Sequence, residues 1–329
     1  MSTQIAAKRP PTPRPGVYEL YWEFAAKRQH IFYSRLAGEE GPWTDDLILQ
    51  AYKFCNVYRA LDRASQYLIK DICYQDESLD QADRLFQIIA FRNFSKIETW
   101  EALKKVLGHS PTLCDLADGA LERALTVIVA GHKDIYTNAF ILCANDAYGR
   151  GRKHLNHIEL FKHMFFGEDI AGKIISAKSL QEVYELLHRF PLYGDFMSYQ
   201  TAIDINYSDL IDFSENDFTV AGPGALRGIH KVFEDLGDYT PAEIIRWMVE
   251  HQDQEFQRLG IGFKDLFGRK IHLIDAQNLF CETDKYCRVR VPDLASARQR
   301  IKTRFAPKSQ AIDLFLPPKW LLTIPRATS

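Results

Sequence analysis

The sequence predicts an all-α, multi-helix domain, and three observations carry that reading. Apolar residues recur at helical spacing along most of the 329 residues, strand signals are few and short, and no repeat of fixed period stands out. Hydrophobic residues make up 46% of the chain and charged residues 26%, a globular composition that excludes collagen, coiled coil and wholesale disorder.

Taken in order, Met1–Gly16 reads as a flexible arm, punctuated by Pro10, Pro11, Pro13 and Pro15. Tyr18–Leu36 is amphipathic through Tyr21, Phe24, Ala25, Ile31 and Phe32. Asp45–Tyr74 repeats the pattern at Ile48, Ala51, Tyr52, Cys55, Tyr58, Leu61, Ala64, Leu68 and Cys73. Helices are expected over Leu79–Phe91 and Thr99–Leu107, and one or two over Leu113–Cys143, depending on whether Gly131 interrupts them. Ser179–Arg189 is a further helix, ended by Pro191. Val289–Val291 and Thr323–Ile324 are too short to build a sheet. The expected organisation is an arm over 1–16, a helical domain over 17–291 and a basic tail over 292–329.

Several function classes are excluded at this level. No uncharged apolar run approaches the ~18 residues a membrane helix needs, and Met1–Gly16 lacks a signal peptide's apolar core, so a cytoplasmic protein is expected. The six cysteines (Cys55, Cys73, Cys114, Cys143, Cys281, Cys287) form no CxxC pair and suit reduced, buried thiols. No metal and no cofactor is expected, and neither a P-loop nor a dinucleotide glycine fingerprint is present. A formal charge of −2 argues against wholesale coating of nucleic acid but hides local patches.

Five segments suggest chemistry. In Phe218–Lys231 (FTVAGPGALRGIHK), Gly222 and Gly224 precede a helical pattern. Such a turn points backbone N–H groups and the positive helix end at a phosphate, with Arg227 and Lys231 adding attraction, though an ordinary loop between helices fits the same residues. In Ile271–Val289, Ile274, Asn278 and Glu282 would share one helix face, and Asp284 stands four residues from Arg288, close enough simply to pair. Lys285–Lys308 then holds eight basic residues against Asp293, which fits a polyanionic ligand or a solvated face. Upstream, Asn56, Tyr58 and Asp62, together with Phe196, Tyr199 and Gln200, supply aromatics beside amides and carboxylates, either core residues or a base-binding pocket.

Four stretches, Phe54–Arg63 (FCNVYRALDR), Phe91–Trp100 (FRNFSKIETW), Gly194–Gln200 (GDFMSYQ) and Cys281–Arg288 (CETDKYCR), resemble the α-glutamyl/putrescinyl-thymine pyrophosphorylase family of phage DNA hypermodification systems. That family is similar in turn to helix-hairpin-helix DNA glycosylases, which implies a glycosylase-like fold with a helix-hairpin-helix-type element at Gly222–Gly224. The resemblance covers about Val17 to Val291 and implies two chemistries. One is a glycosylase that removes a bulky modified base, such as α-glucosylated hydroxymethylcytosine, from phage DNA. The alternative is a transferase that attaches an amine or amino acid to an activated 5-hydroxymethyl-pyrimidine. The glycosylase is the expected one, since no fused kinase motif is present.

On that expectation the partner is double-stranded DNA with modified bases, and no obligate protein partner is implied. Gly222, Gly224, Arg227, Lys231, Lys285 and Arg288 would hold the duplex. Asn56, Tyr58, Asp62, Phe196, Tyr199 and Gln200 would line the base pocket. Asp284 or Glu282 would stabilise the sugar cation while Asn278 positions water. The resemblance departs in its spacing and in its nucleophile: sixty residues separate Gly222 from Glu282, so either an insertion occupies Asp238–Lys270 or the hairpin match is accidental, and no lysine follows Gly224 where strand-cleaving glycosylases carry one.

Overall fold

The computed structural model describes residues 8–75, 78–131, 134–137, 147–294, 301, 303–306 and 312–324. The chain forms two compact units: one from residues up to Asp62 with Phe218–Leu314 and the residues from Leu321, the other from Arg63–Asp217 with Phe315–Trp320. The body expected over 17–291 is thus divided between them. The first unit opens with α1 (Val17–Leu36) and α2 (Leu47–Ala51). The second holds α3 (Arg63–Leu68), α4 (Gln81–Phe94), α5 (Ile97–Leu107), α6 (Leu113–Ala117), α7 (Ala120–Ala130), α8 (Lys153–Lys162), α9 (Ile170–Ile175), α10 (Leu180–His188) and α11 (Asp195–Tyr207). The chain then returns to the first unit for α12 (Pro223–Val232), α13 (Pro241–Arg258) and α14 (Leu273–Arg290). The all-α prediction holds: among the described residues the one sheet joins two short strands, β1 (Thr12–Pro13) and β2 (Phe233–Asp235).

Local chemistry explains most helix starts. Asp46 accepts from the Ile48 and Leu49 amides at the start of α2, and Ser179 from the Glu182 amide at the start of α10. Thr240 and Glu243 form a reciprocal capping box before α13, whose first residue is proline. In the second unit α4 and α11 are buried almost all round, Arg84–Phe94 and Met197–Tyr207 being continuous buried runs. Arg92 and Asp204 meet between these two helices with side chains 2% and 0% exposed.

In the first unit α12 packs tightly along α14. A Cβ on Gly228 would overlap the Phe280 carbonyl, and one on Gly224 the Cys281 sulfur. These glycines serve close helix approach. A long irregular connection separates α11 from Gly222, so the described residues contain no tight hairpin of the expected helix-hairpin-helix kind, and α13 fills the interval before α14.

Two further expectations differ from the structure. The described part of the N-terminal arm is pinned: Thr12–Pro13 pairs with β2, the Arg14 amide donates to Val232 O (2.8 Å), and the Arg9 amide donates to Asp238 (2.7 Å). The helical pattern of Asp45–Tyr74 breaks between Tyr52 and Tyr58. There the Asn56 side chain donates to Leu61 O (2.8 Å) and Asp62 accepts from the Asn56 amide (2.8 Å), local bonds that compete with a helix ladder. The pattern over Leu113–Cys143 breaks at Gly119 (φ 79°), with Gly131 closing α7, while 138–146, Cys143 included, lie outside the described residues.

Candidate nucleic-acid interface

The first unit gathers most of the singled-out polar residues on α14 and what packs against it. Asp284 is fully buried, and three cations converge on it: Lys231 (2.9 Å) and Arg227 (3.2 Å) from α12, and Arg288 (2.5 Å) one turn along α14. Burial alone would raise this carboxyl's pKa, but the Arg288 and Lys231 interactions outweigh it and hold the group below its ordinary value. Arg227 is the most open of the three, its side chain 30% exposed.

Glu282, 1% exposed, accepts from the Cys55 amide (3.1 Å) and pairs with Lys285 (2.5 Å), whose side chain is 33% exposed. Burial works to lower the Lys285 pKa, yet Glu282 raises it beyond the usual lysine value, so Lys285 stays charged. Cys281, Lys285 and Arg288 follow one side of α14 at intervals of four and three, and with Arg227 they form a positively charged stripe. The counterions sit beneath it, since Glu282 and Asp284 are enclosed.

Beside this stripe lies a polar recess. Arg28 of α1 donates through Nε to Cys55 O (3.0 Å) and through Nη2 to Asn56 Oδ1 (2.8 Å), while Asn278 donates to Asn56 O (3.3 Å). Burial, with a smaller repulsion from Glu282, raises the Asp62 pKa. Arg28, Asn56, Asp62 and Asn278 are each half-buried, so the network borders solvent. Sequence reading missed Arg28. The available signal was its place on the apolar stripe of α1, one turn beyond Phe24 and one before Phe32.

The remaining candidates fall elsewhere. Tyr58 is buried and donates to Arg269 O (2.7 Å), a structural anchor for the loop before α14. Phe196, Tyr199 and Gln200 lie on α11 of the second unit, the last two buried in that unit's core. The six residues expected to form one base pocket are therefore split between units. Of the expected DNA contacts, Arg227 and Lys285 are the open cations of the stripe, Arg288 and Lys231 are nearly enclosed against Asp284, and Gly222 and Gly224 begin α12. Arg298, Arg300, Lys302 and Lys308 of the basic tail are outside the described residues. One near match to a P-loop, Gly167–Lys173, has Ile174 where a metal-binding hydroxyl is required and follows a helical turn instead of a strand.

By its physical character this is an all-helical chain with a cationic stripe over buried counterions. The family follows from comparison. The family model "5-hmdU DNA kinase, helical domain" matches residues 15–296, and the chain belongs to that family. It is similar to a 5-hmdU DNA kinase of Bacillus phage SP10, 27% identical over 302 residues that cover 86% of this chain and 46% of the relative. The chain thus spans about half the length of the curated relative it matches. No solved structure matches it.

These matches correct the expected identity. The chain belongs with a kinase family acting on modified DNA, not with the pyrophosphorylase and glycosylase group, and base excision by hydrolysis falls with that reading. The geometry agrees, because neither Glu282 nor Asp284 is open to a sugar: each is enclosed and ion-paired. No described helix is long and apolar enough to cross a membrane.

Proposed function

We propose that the chain takes part in group transfer onto the 5-hydroxymethyl substituent of a pyrimidine in DNA, phosphoryl transfer to 5-hydroxymethyl-deoxyuridine being the reaction, and that it works in the cytoplasm beside that DNA. The observation that carries this reading is the family match across 15–296, which includes α1 to α14. The transferase alternative raised from the sequence is the branch it favours.

In this reading Arg227, Lys285 and Arg288 hold the DNA backbone, and the recess of Asn56, Asp62 and Asn278 meets the polar edge of the modified base. A backbone contact neutralises one phosphate and releases its counterion, so affinity should fall steeply with salt. Extruding the nucleotide would cost a few kcal/mol, least for a base that stacks poorly. Amide and carboxylate groups suit a uracil ring and its added hydroxyl, since they offer both donors and acceptors.

The test uses matched duplexes containing thymine or 5-hydroxymethyluracil, with radiolabelled ATP, and the chain both alone and mixed with the other half of the phage relative. The expected result is tighter binding of the modified duplex and label on its hydroxymethyl group, with no abasic sites. Equal binding of both duplexes with no label in either mixture rejects the reading.

A further inference from the structure

The first unit carries a second concave feature, separate from the α14 stripe. Lys27 and His30 of α1, Trp43, Thr44 and Asp45 of the following loop, and Gly262 after α13 line an open cleft of about 560 Å³. It is nearer an open surface than an enclosed cavity, so a ligand would lie against its walls.

Its walls are held in place. The Trp43 indole donates to Glu39 O (2.7 Å), and the Arg35 guanidinium lies over its ring at 5.3 Å. Lys27 pairs with Asp46 (3.3 Å), and Asp46 is itself fixed by the Tyr286 hydroxyl (2.7 Å) and by its cap on α2. The Lys27 side chain remains 41% exposed, so its charge reaches the cleft. Asp45 is exposed and has no recorded partner among the described residues. A Cβ placed on Gly262 would meet nothing within 4 Å, so the cleft is open at that wall.

An aromatic side chain held in place, a lysine, a histidine and an exposed carboxylate line this cleft together, a set that suits a ligand with a flat ring and a phosphate. We propose that this cleft binds a nucleotide, its base against Trp43, its phosphate toward Lys27 and His30, and a base amine or sugar hydroxyl toward Asp45. Base stacking on an aromatic side chain is sequence-tolerant, and cations beside it select for phosphate. The nucleotide has two sources, a free nucleoside triphosphate or an unpaired stretch of DNA. The inference rests on the cleft alone and does not require the transferase reading.

Calorimetric titration of the full chain with ATP, and separately with an oligothymidylate, tests it. At least one probe should bind, and Trp43→Ala and Gly262→Phe should each weaken that binding about tenfold or more. ATP binding alone assigns a free nucleotide, and oligothymidylate binding alone assigns a DNA strand. Gly262→Phe fills the cleft from an open position, so unchanged circular dichroism with lost binding separates blockage from misfolding. Arg288→Ala should leave ATP affinity unchanged while weakening duplex binding, which keeps failure at the α14 stripe distinct. If neither probe binds, or if Gly262→Phe binds the active probe as the native chain does, the proposal is overturned.

Discussion

Each unit buries a carboxylate against arginine, but the two arrangements differ in where they end. Asp204 and Arg92 are sealed, 0% and 2% exposed, between two helices buried almost all round. Around Asp284 the exposure is graded: 0% at the carboxylate, 7% at Lys231, 8% at Arg288 and 30% at Arg227. A sealed pair has no access to a ligand and acts on register and stability. The graded cluster leads charge from the core to the surface, and its three cations exceed its one carboxylate. The same residue types thus serve architecture in one unit and supply an electrostatic footprint in the other.

The sharpest way to break the contrast is to open the sealed pair. Arg92→Ala leaves Asp204 buried without that cation and should cost about 3–5 kcal/mol in urea unfolding, while the fraction that remains folded binds DNA as before. A weakened salt dependence in this variant would show that the second unit's pair also addresses phosphate.

Acid probes the sealed unit by another route. His157 is enclosed, and burial first, then the nearby Lys153 and His154, lowers its pKa from 6.5 to about 3. The unfolded chain therefore takes up a proton near pH 6.5 that the folded chain refuses until about pH 3. Between those limits the unfolded state binds more protons, so stability must fall as pH is lowered. By pH 4.5 the loss should reach roughly 2–3 kcal/mol, and His157→Gln should flatten that part of the profile. A native unfolding midpoint constant from pH 6.5 to 4.5 would contradict this environment.

Opening the graded cluster should do the reverse. Arg227→Ala removes the most exposed cation but leaves Lys231 and Arg288 on Asp284, so the stability change should stay below about 1 kcal/mol. The slope of log affinity for duplex DNA against log salt should fall by about one. An unaltered slope would make the stripe a bystander. The smallest effect is expected at Arg63 and Glu98, paired at 2.9 Å with side chains 66% and 58% exposed. Arg63→Ala should shift stability by under about 0.5 kcal/mol, a baseline for the others.

How much of this was legible depended on the range of the interactions. Helices with strong periodicity were readable close to their ends: Tyr18–Leu36 against Val17–Leu36, and Ser179–Arg189 against Leu180–His188. The 52–58 break was not, because Asn56 and Asp62 override the apolar spacing through side-chain bonds to backbone. The spacing of four left pairing of Asp284 with Arg288 open beside a catalytic role for Asp284, and the sequence did not decide between them. The convergence of Arg227 and Lys231 on the same carboxylate joins helices more than fifty residues apart, beyond any local pattern. Gly224 and Gly228 show the same limit. Gly224 suits a phosphate-gripping turn in the sequence, but only the position of Phe280 and Cys281 across the helix pair reveals that both glycines permit close packing.

The interruption of the first unit by Arg63–Asp217 of the second has a consequence during synthesis. Tyr21, Trp22 and Phe24 of α1 leave the ribosome early, yet α14, against which α1 packs through Tyr21 and Phe280, follows more than two hundred residues later. At ~5–20 residues per second, the intervening 155 residues of the second unit alone delay the meeting by roughly ten to thirty seconds. Throughout that interval an aromatic-rich helix waits unpaired on the nascent chain, a natural handle for a chaperone and a hazard where none is at hand.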